Sequence, residues 1–121
     1  MVSTEDYIEF REYLCFNRDK TIRSIISNEQ LLFSDKVTKL LFFYRSKQVN
    51  LIVTDKAVYY LDNKILSKRM NLEFIIGITI NEFSNELVIH KKGEENDQYY
   101  ETPRKNELIM TIAEAYYKLT N

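Results

Sequence analysis

The chain has 121 residues, 45% hydrophobic and 29% charged, with a single proline and a formal net charge of -1; this length and balance predict one soluble core and exclude a disordered chain. No apolar run reaches the roughly 18 residues that span a bilayer, and MVSTEDYIEF has neither the basic start nor the apolar middle of a signal peptide, so an intracellular setting is expected. The lone Cys15 agrees with that setting, and the two isolated glycines, Gly77 and Gly93, exclude a P-loop or dinucleotide fingerprint.

In chain order, Ser3 with Asp6 reads as a capping pair ahead of Tyr7, Phe10 and Leu14 at helical spacing. A second short helix is predicted around Ile22, Ile25 and Ile26, with Asp19 before it and Ser27-Asn28 after it. Residues 1–29 therefore read as an N-terminal helical extension, and residues 30–121 as the body of one structural domain.

The segment from Leu31 to Asp62 reads as three successive strands. Leu51-Ile52-Val53 and Ala57-Val58-Tyr59-Tyr60-Leu61 are β-branched and aromatic runs around a break at Thr54-Asp55-Lys56, which is a hairpin pattern. A turn at Asp62-Asn63-Lys64 leads into a fourth strand through Asn71. Leu72 to Ile80 reads as a fifth strand, in which Gly77 marks a bulge or sharp bend. Glu86–Lys92 and Gln98–Glu101 complete seven strands, separated by turns at 81–85 and 93–97. Thr102 as N-cap and Pro103 at the first helical position then predict a closing helix, its inner face formed by Leu108, Ile109, Ile112, Ala115, Tyr116 and Leu119.

Charge is unevenly spread along this order. Residues 30–72 carry eight basic groups (Lys36, Lys39, Arg45, Lys47, Lys56, Lys64, Lys68 and Arg69) against three acidic ones, between two acidic flanks. That asymmetry fits an anionic partner, although strand edges also collect lysine to block edge-to-edge pairing. No catalytic, metal or cofactor site is expected. His90 is the sole histidine and reads as structural, no Cys/His set suits zinc, and Glu94-Glu95-Asn96-Asp97 lacks the ligand spacing of a calcium loop. A slightly acidic chain without a recognition motif argues against nucleic acid as a partner.

Seven short strands followed by one amphipathic helix is the element order of a pleckstrin-homology-like barrel, an α+β, mainly β architecture: a seven-stranded antiparallel barrel with a C-terminal capping helix, here preceded by the N-terminal helical extension. Within that order the residues resemble the tail homology 1 (TH1) domain of class I myosins. The resemblance rests on Asp6-Tyr7, on Leu32 through Lys39, most specifically on Thr54-Asp55-Lys56-Ala57-Val58-Tyr59-Tyr60-Leu61-Asp62, then on Leu72 through Ile80, on Leu87-Val88-Ile89-His90, and on the closing helix.

That resemblance implies a non-catalytic peripheral membrane module of the cytoplasm or cell cortex that binds acidic phospholipids, in many members phosphoinositides. Lys36, Lys39, Arg45 and Lys47 are the expected lipid-binding residues, with Lys39 at the family's first-strand lysine. The arginine expected five residues before Thr54 is replaced by Val49, and Leu40 through Tyr44 is apolar where the family is polar and basic. Phe42, Phe43 and Tyr44 are candidates for membrane insertion or partner docking, unless they pack in the core. The weakened basic set leaves open an alternative, a protein-interaction module serving a cytoskeletal or small-GTPase-linked partner.

Overall fold

The β-branched and aromatic runs become strands because each can bury one or both faces. β1 spans Leu31–Leu40, β2 Ser46–Thr54, β3 Ala57–Asp62, β4 Ile65–Asn71, β5 Ile75–Ile80, β6 Glu86–Lys91 and β7 Gln98–Glu101; one helix, α1, spans Lys105–Thr120. This computed structural model describes residues 28–40, 45–62, 65–81, 83–93 and 98–121. The two predicted N-terminal helices, the 41–44 run, the Asn63-Lys64 turn and the acidic 94–97 turn lie outside those residues.

All the pairings are antiparallel, in the order β4-β3-β2-β1-β7-β6-β5, so β4 and β5 form the two edges of the curved sheet. Its concave face holds Phe33, Val37, Val49, Leu51, Val53, Val58, Tyr60, Leu87, Ile89 and Tyr100, and α1 closes this core with Leu108, Ile112 and Ala115. The expected seven-stranded barrel with a capping helix is the architecture observed. β3 is buried on both faces: Val58 and Tyr60 face the core, while Tyr59 and Leu61 are buried on the other side.

Of four local expectations, three change and one, the bulge, holds. Leu72–Phe74 is a 3-10 turn rather than the start of the fifth strand: Leu72 still donates its N–H to Lys56 O (3.0 Å), one step beyond the Ala57–Asn71 pair, and the Ile75 N–H then closes the turn on Leu72 O before β5 begins. The bulge is present where Gly77 suggested it: the β5–β6 register slips between Ile75 and Gly77 and leaves Ile76 as the extra, exposed residue. The helix starts at Lys105 rather than at Pro103, since Thr102 Oγ1 accepts the Arg104 N–H (3.1 Å) in a side-chain turn that precedes it. Tyr116, expected on the inner face of the helix, is exposed.

The start of α1 is fixed by its own charges. Arg104 lies over the Phe33 ring (4.6 Å), donates to Ser34 O (3.3 Å) and makes a two-bond pair with Glu107 (2.8 and 3.0 Å). That guanidinium holds the Glu107 carboxyl below its usual range. Lys105 Nζ donates to Asn81 O (2.7 Å) and to Ser84 O, which fastens the helix to the β5–β6 turn. The helix therefore sits at one end of the barrel. The other end, where β1 finishes and β2 begins, carries the candidate site.

Candidate functional site: a lysine pair at the barrel mouth

Strand alternation places Lys39 on the same face of β1 as Val37, and Lys47 on the same face of β2 as Val49. Val37 and Val49 are register partners within the core, and Lys39 and Lys47 are the next inward-facing partners toward the open end. Two cations thus stand opposite each other at the mouth. Like charges directly across a ladder are unfavourable, and among the described residues Tyr60 and Asp62 offset part of the repulsion. The Tyr60 ring lies beneath both ammonium groups, 4.1 Å from Lys39 Nζ and 5.6 Å from Lys47 Nζ, where its π face attracts them. The Asp62 carboxylate accepts from Lys47 Nζ at 2.7 Å. That bond, seconded by the Tyr60 hydroxyl, pushes the Lys47 ammonium pKa well above the usual lysine range.

The floor of this mouth is phenolic. Tyr100 is the β7 partner of Lys39 and is fully buried. Its hydroxyl finds no hydrogen-bond partner among the described residues, and burial pushes its pKa up. The rim is wet: the side chains of Lys47 and Asp62 are 38% and 42% exposed.

The four lysines and arginines expected from the sequence are therefore not one cluster. Lys39 and Lys47 are brought together; Lys36 alternates to the opposite face of β1, and Arg45 is exposed just before β2 begins. Phe42, Phe43 and Tyr44 lie outside the described residues. Val49 is 3% exposed in the core, so its position is a packing position and Lys47, one inward step nearer the mouth, supplies the second cation. Sequence reasoning missed Tyr60 and Asp62 as members of the candidate site, having read one as a strand residue and the other as a turn residue. The signal was the pairing of β2 with β3, which brings both beside Lys47.

A second polar cluster lies toward the helix end, on the outer face. Glu29 accepts from Thr54 Oγ1 (2.7 Å) and from the Tyr59 hydroxyl (2.5 Å), and Arg69 Nε donates to that same hydroxyl (2.9 Å). Arg69 Nη2 also lies 3.6 Å from Glu29. The Glu29 side chain is 4% exposed. Burial, then the bond to Glu29, raises the Tyr59 pKa. Beside this cluster is a cavity of about 420 Å³ with lining charges of both signs: Glu29 and Glu73, Lys56 and Arg69. Mixed charge and internal pairing make it a poor anion site. His90 bonds Thr79 Oγ1 (2.8 Å), in keeping with a structural role, and no group of His, Cys, Asp and Glu among the described residues is placed to hold a metal.

The sequence model of the unconventional myosin tail, described as actin- and lipid-binding, matches residues 4–121. The chain belongs to this family. It is 28% identical over 123 residues to the myosin IB heavy chain of Dictyostelium discoideum, covering 95% of this chain and 11% of that one. The myosin ID heavy chain of the same organism is 28% identical over 126 residues, covering 92% and 11%. The chain thus spans about a ninth of the curated relatives it matches.

Solved structures confirm the architecture at low identity. The carboxyl-terminal PH domain of pleckstrin superposes with a TM-score of 0.60 at 18% identity, covering 71% of this chain and 97% of that one. The DH/PH fragment of PDZRhoGEF, solved in complex with human RhoA, gives 0.71 at 13% identity, covering 95% and 40%. This tail module has the pleckstrin-homology-like fold expected from its element order and is non-catalytic. No helix among the described residues is long and apolar enough to cross a membrane.

Proposed function

We propose that this module recruits its protein to the cytoplasmic face of a membrane or the cell cortex by binding acidic phospholipids, with Lys39 and Lys47 at the barrel mouth as the principal contacts. The observation that carries this reading is the opposed lysine pair over Tyr60 in a family described as lipid-binding. Each basic residue near an anionic leaflet strengthens partitioning by about fivefold. Two lysines, one of them bonded to Asp62, give weak and salt-sensitive binding. Arg45 precedes β2 at the same end and adds long-range attraction. Lys36, on the other face, contributes less. With Val49 in the core, the site is too sparse to demand one phosphoinositide, so preference follows headgroup charge.

Flotation with vesicles of phosphatidylcholine containing phosphatidylserine or a phosphoinositide, at low and physiological salt, tests this. The wild type is expected to bind at low salt, to weaken as the Debye length falls below about 10 Å, and to lose binding in Lys39→Glu/Lys47→Glu. Equal binding by that variant would contradict the assignment.

A second reading, docking of a cytoskeletal protein, draws on the family description and on one surface feature. Phe83 is 98% exposed in the β5–β6 turn, at the helix end of the barrel. Co-sedimentation with actin filaments tests it: Phe83→Ala is expected to lower filament binding and leave vesicle binding intact, and unchanged filament binding would remove Phe83 from this reading.

A further inference from the structure

The lysine mouth already contains an anion of its own. Lys39 and Lys47 face each other across the β1–β2 ladder, and the Asp62 carboxylate sits on Lys47 at 2.7 Å from the last residue of β3. Such an arrangement resolves a conflict within the fold. Two ammonium groups held opposite each other over one phenol ring repel, and a carboxylate beside them offsets part of the excess positive charge. An arriving lipid phosphate offers the same thing, anionic oxygen for Lys47, and both cannot hold the same ammonium in the same geometry.

We infer that Asp62 is a built-in competitor for the headgroup: an acidic lipid binds by taking Lys47 away from Asp62, so this carboxylate sets the affinity of the mouth and tunes it toward densely anionic surfaces. The inference rests on the lipid-binding reading above and adds the residue that regulates it. Three features make the exchange easy. Both partners are more than a third exposed, so water stabilises the separated charges. Asp62 ends its strand, where the backbone is held from one side only. Lys47 keeps the Tyr60 ring as a second partner after it leaves Asp62. Other acids on neighbouring strands are placed differently: Asp35 is 3.7 Å from Arg104, and Glu101 is the register partner of Thr38, so it alternates away from the inward-facing Tyr100.

The test is a double-mutant cycle read by flotation of the whole chain on vesicles of phosphatidylcholine with phosphatidylserine at fixed low salt. Asp62→Asn is expected to strengthen partitioning by about fivefold, the effect of one charge at the leaflet. In a Lys47→Gln background the same substitution is expected to give less than about a twofold gain, because the competition has been removed. Glu101→Gln, an equal change of net charge on the other face of β7, is expected to give a clearly smaller gain than Asp62→Asn, because it releases no ammonium at the mouth. Thermal melts of each variant show that it is folded, and Asp62→Ser serves as a second neutral replacement.

If the wild type binds, Lys39→Glu/Lys47→Glu does not, and neither neutral replacement of Asp62 changes affinity, the competitor role is overturned while the lipid-binding reading stands. An equal gain with and without Lys47, or an equal gain from Glu101→Gln, also overturns it, since general charge then explains the effect. If no variant, Asp62→Asn included, binds anionic vesicles at low salt, the lipid-binding reading fails and the inference falls with it. A parallel titration with soluble inositol hexakisphosphate separates two sources of the same phosphate chemistry. A gain there too shows that the mouth responds to phosphate itself, and a gain on vesicles alone shows that it needs the lipid surface; both support displacement of Asp62.

Discussion

The barrel carries two clusters made from nearly the same parts: Lys47, Asp62 and Tyr60 at the mouth, and Arg69, Glu29 and Tyr59 on the outer face toward the helix end. They differ in solvent and in bonding. Glu29 is sealed from water and accepts from two side-chain hydroxyls, whereas Asp62 and Lys47 stand in water with a single bond between them. A buried carboxylate that loses its donors is left uncompensated, so the outer cluster is committed to holding residue 29 against β2 and β3. An exposed pair loses little on opening and remains available to a ligand. Adjacent tyrosines, Tyr59 and Tyr60, serve opposite purposes because a strand turns them to opposite faces.

The largest effect expected from this contrast is on stability at the buried cluster. Glu29→Ala removes the acceptor of two hydroxyl donors and the partner of Arg69, and is expected to destabilise by about 2–3 kcal/mol in urea unfolding. Lys47→Ala, at the exposed cluster, is expected to leave the unfolding midpoint nearly unchanged. Similar losses at both sites would break the distinction.

Tyr59→Phe is a smaller perturbation, removing the hydroxyl that joins Glu29 to Arg69, and is expected to cost about 1 kcal/mol at neutral pH. It also has a pH signature. The folded phenol has a raised pKa, so the stability it contributes is complete below the unfolded value of about 10 and is lost as pH climbs from there toward the folded value. Alkaline unfolding is therefore expected to be less steep in Tyr59→Phe than in the wild type. An unaltered alkaline limb would contradict the buried role of this hydroxyl.

The smallest effect belongs to Tyr100, whose buried hydroxyl is unpartnered among the described residues. Tyr100→Phe is expected to leave stability unchanged or raise it by up to about 1 kcal/mol, because it removes a desolvated polar group. A loss of that size would mean that the hydroxyl holds a partner.

Much of the fold was legible because apolar periodicity and turn chemistry agreed. The Thr54-Asp55-Lys56 break is a hairpin turn, where Thr54 Oγ1 accepts from the N–H groups of Lys56 and Ala57. Gly77 stands beside a real register slip. The 3-10 turn at Leu72–Phe74 was not legible, since its residues suit a strand and the local bond from the Ile75 N–H to Leu72 O that closes the turn has no signature in their types. Helical spacing placed Tyr116 inside, but Leu108, Ile112 and Ala115 already fill the contact and leave Tyr116 in water. At the site, basic residues were visible one by one. Their division between two faces, and the joining of Tyr60 and Asp62 to two of them, depend on the pairing of three strands.

The most direct test is a residue-by-residue map of the contact, from amide spectra of isotope-labelled chain titrated with nanodiscs containing phosphatidylserine. Broadening and shifts concentrated at Lys39, Lys47, Tyr60 and Asp62, with Glu29, Tyr59 and Arg69 unmoved, is the result this account predicts. Perturbation centred on Glu29 and Arg69, with the lysine mouth silent, would contradict it.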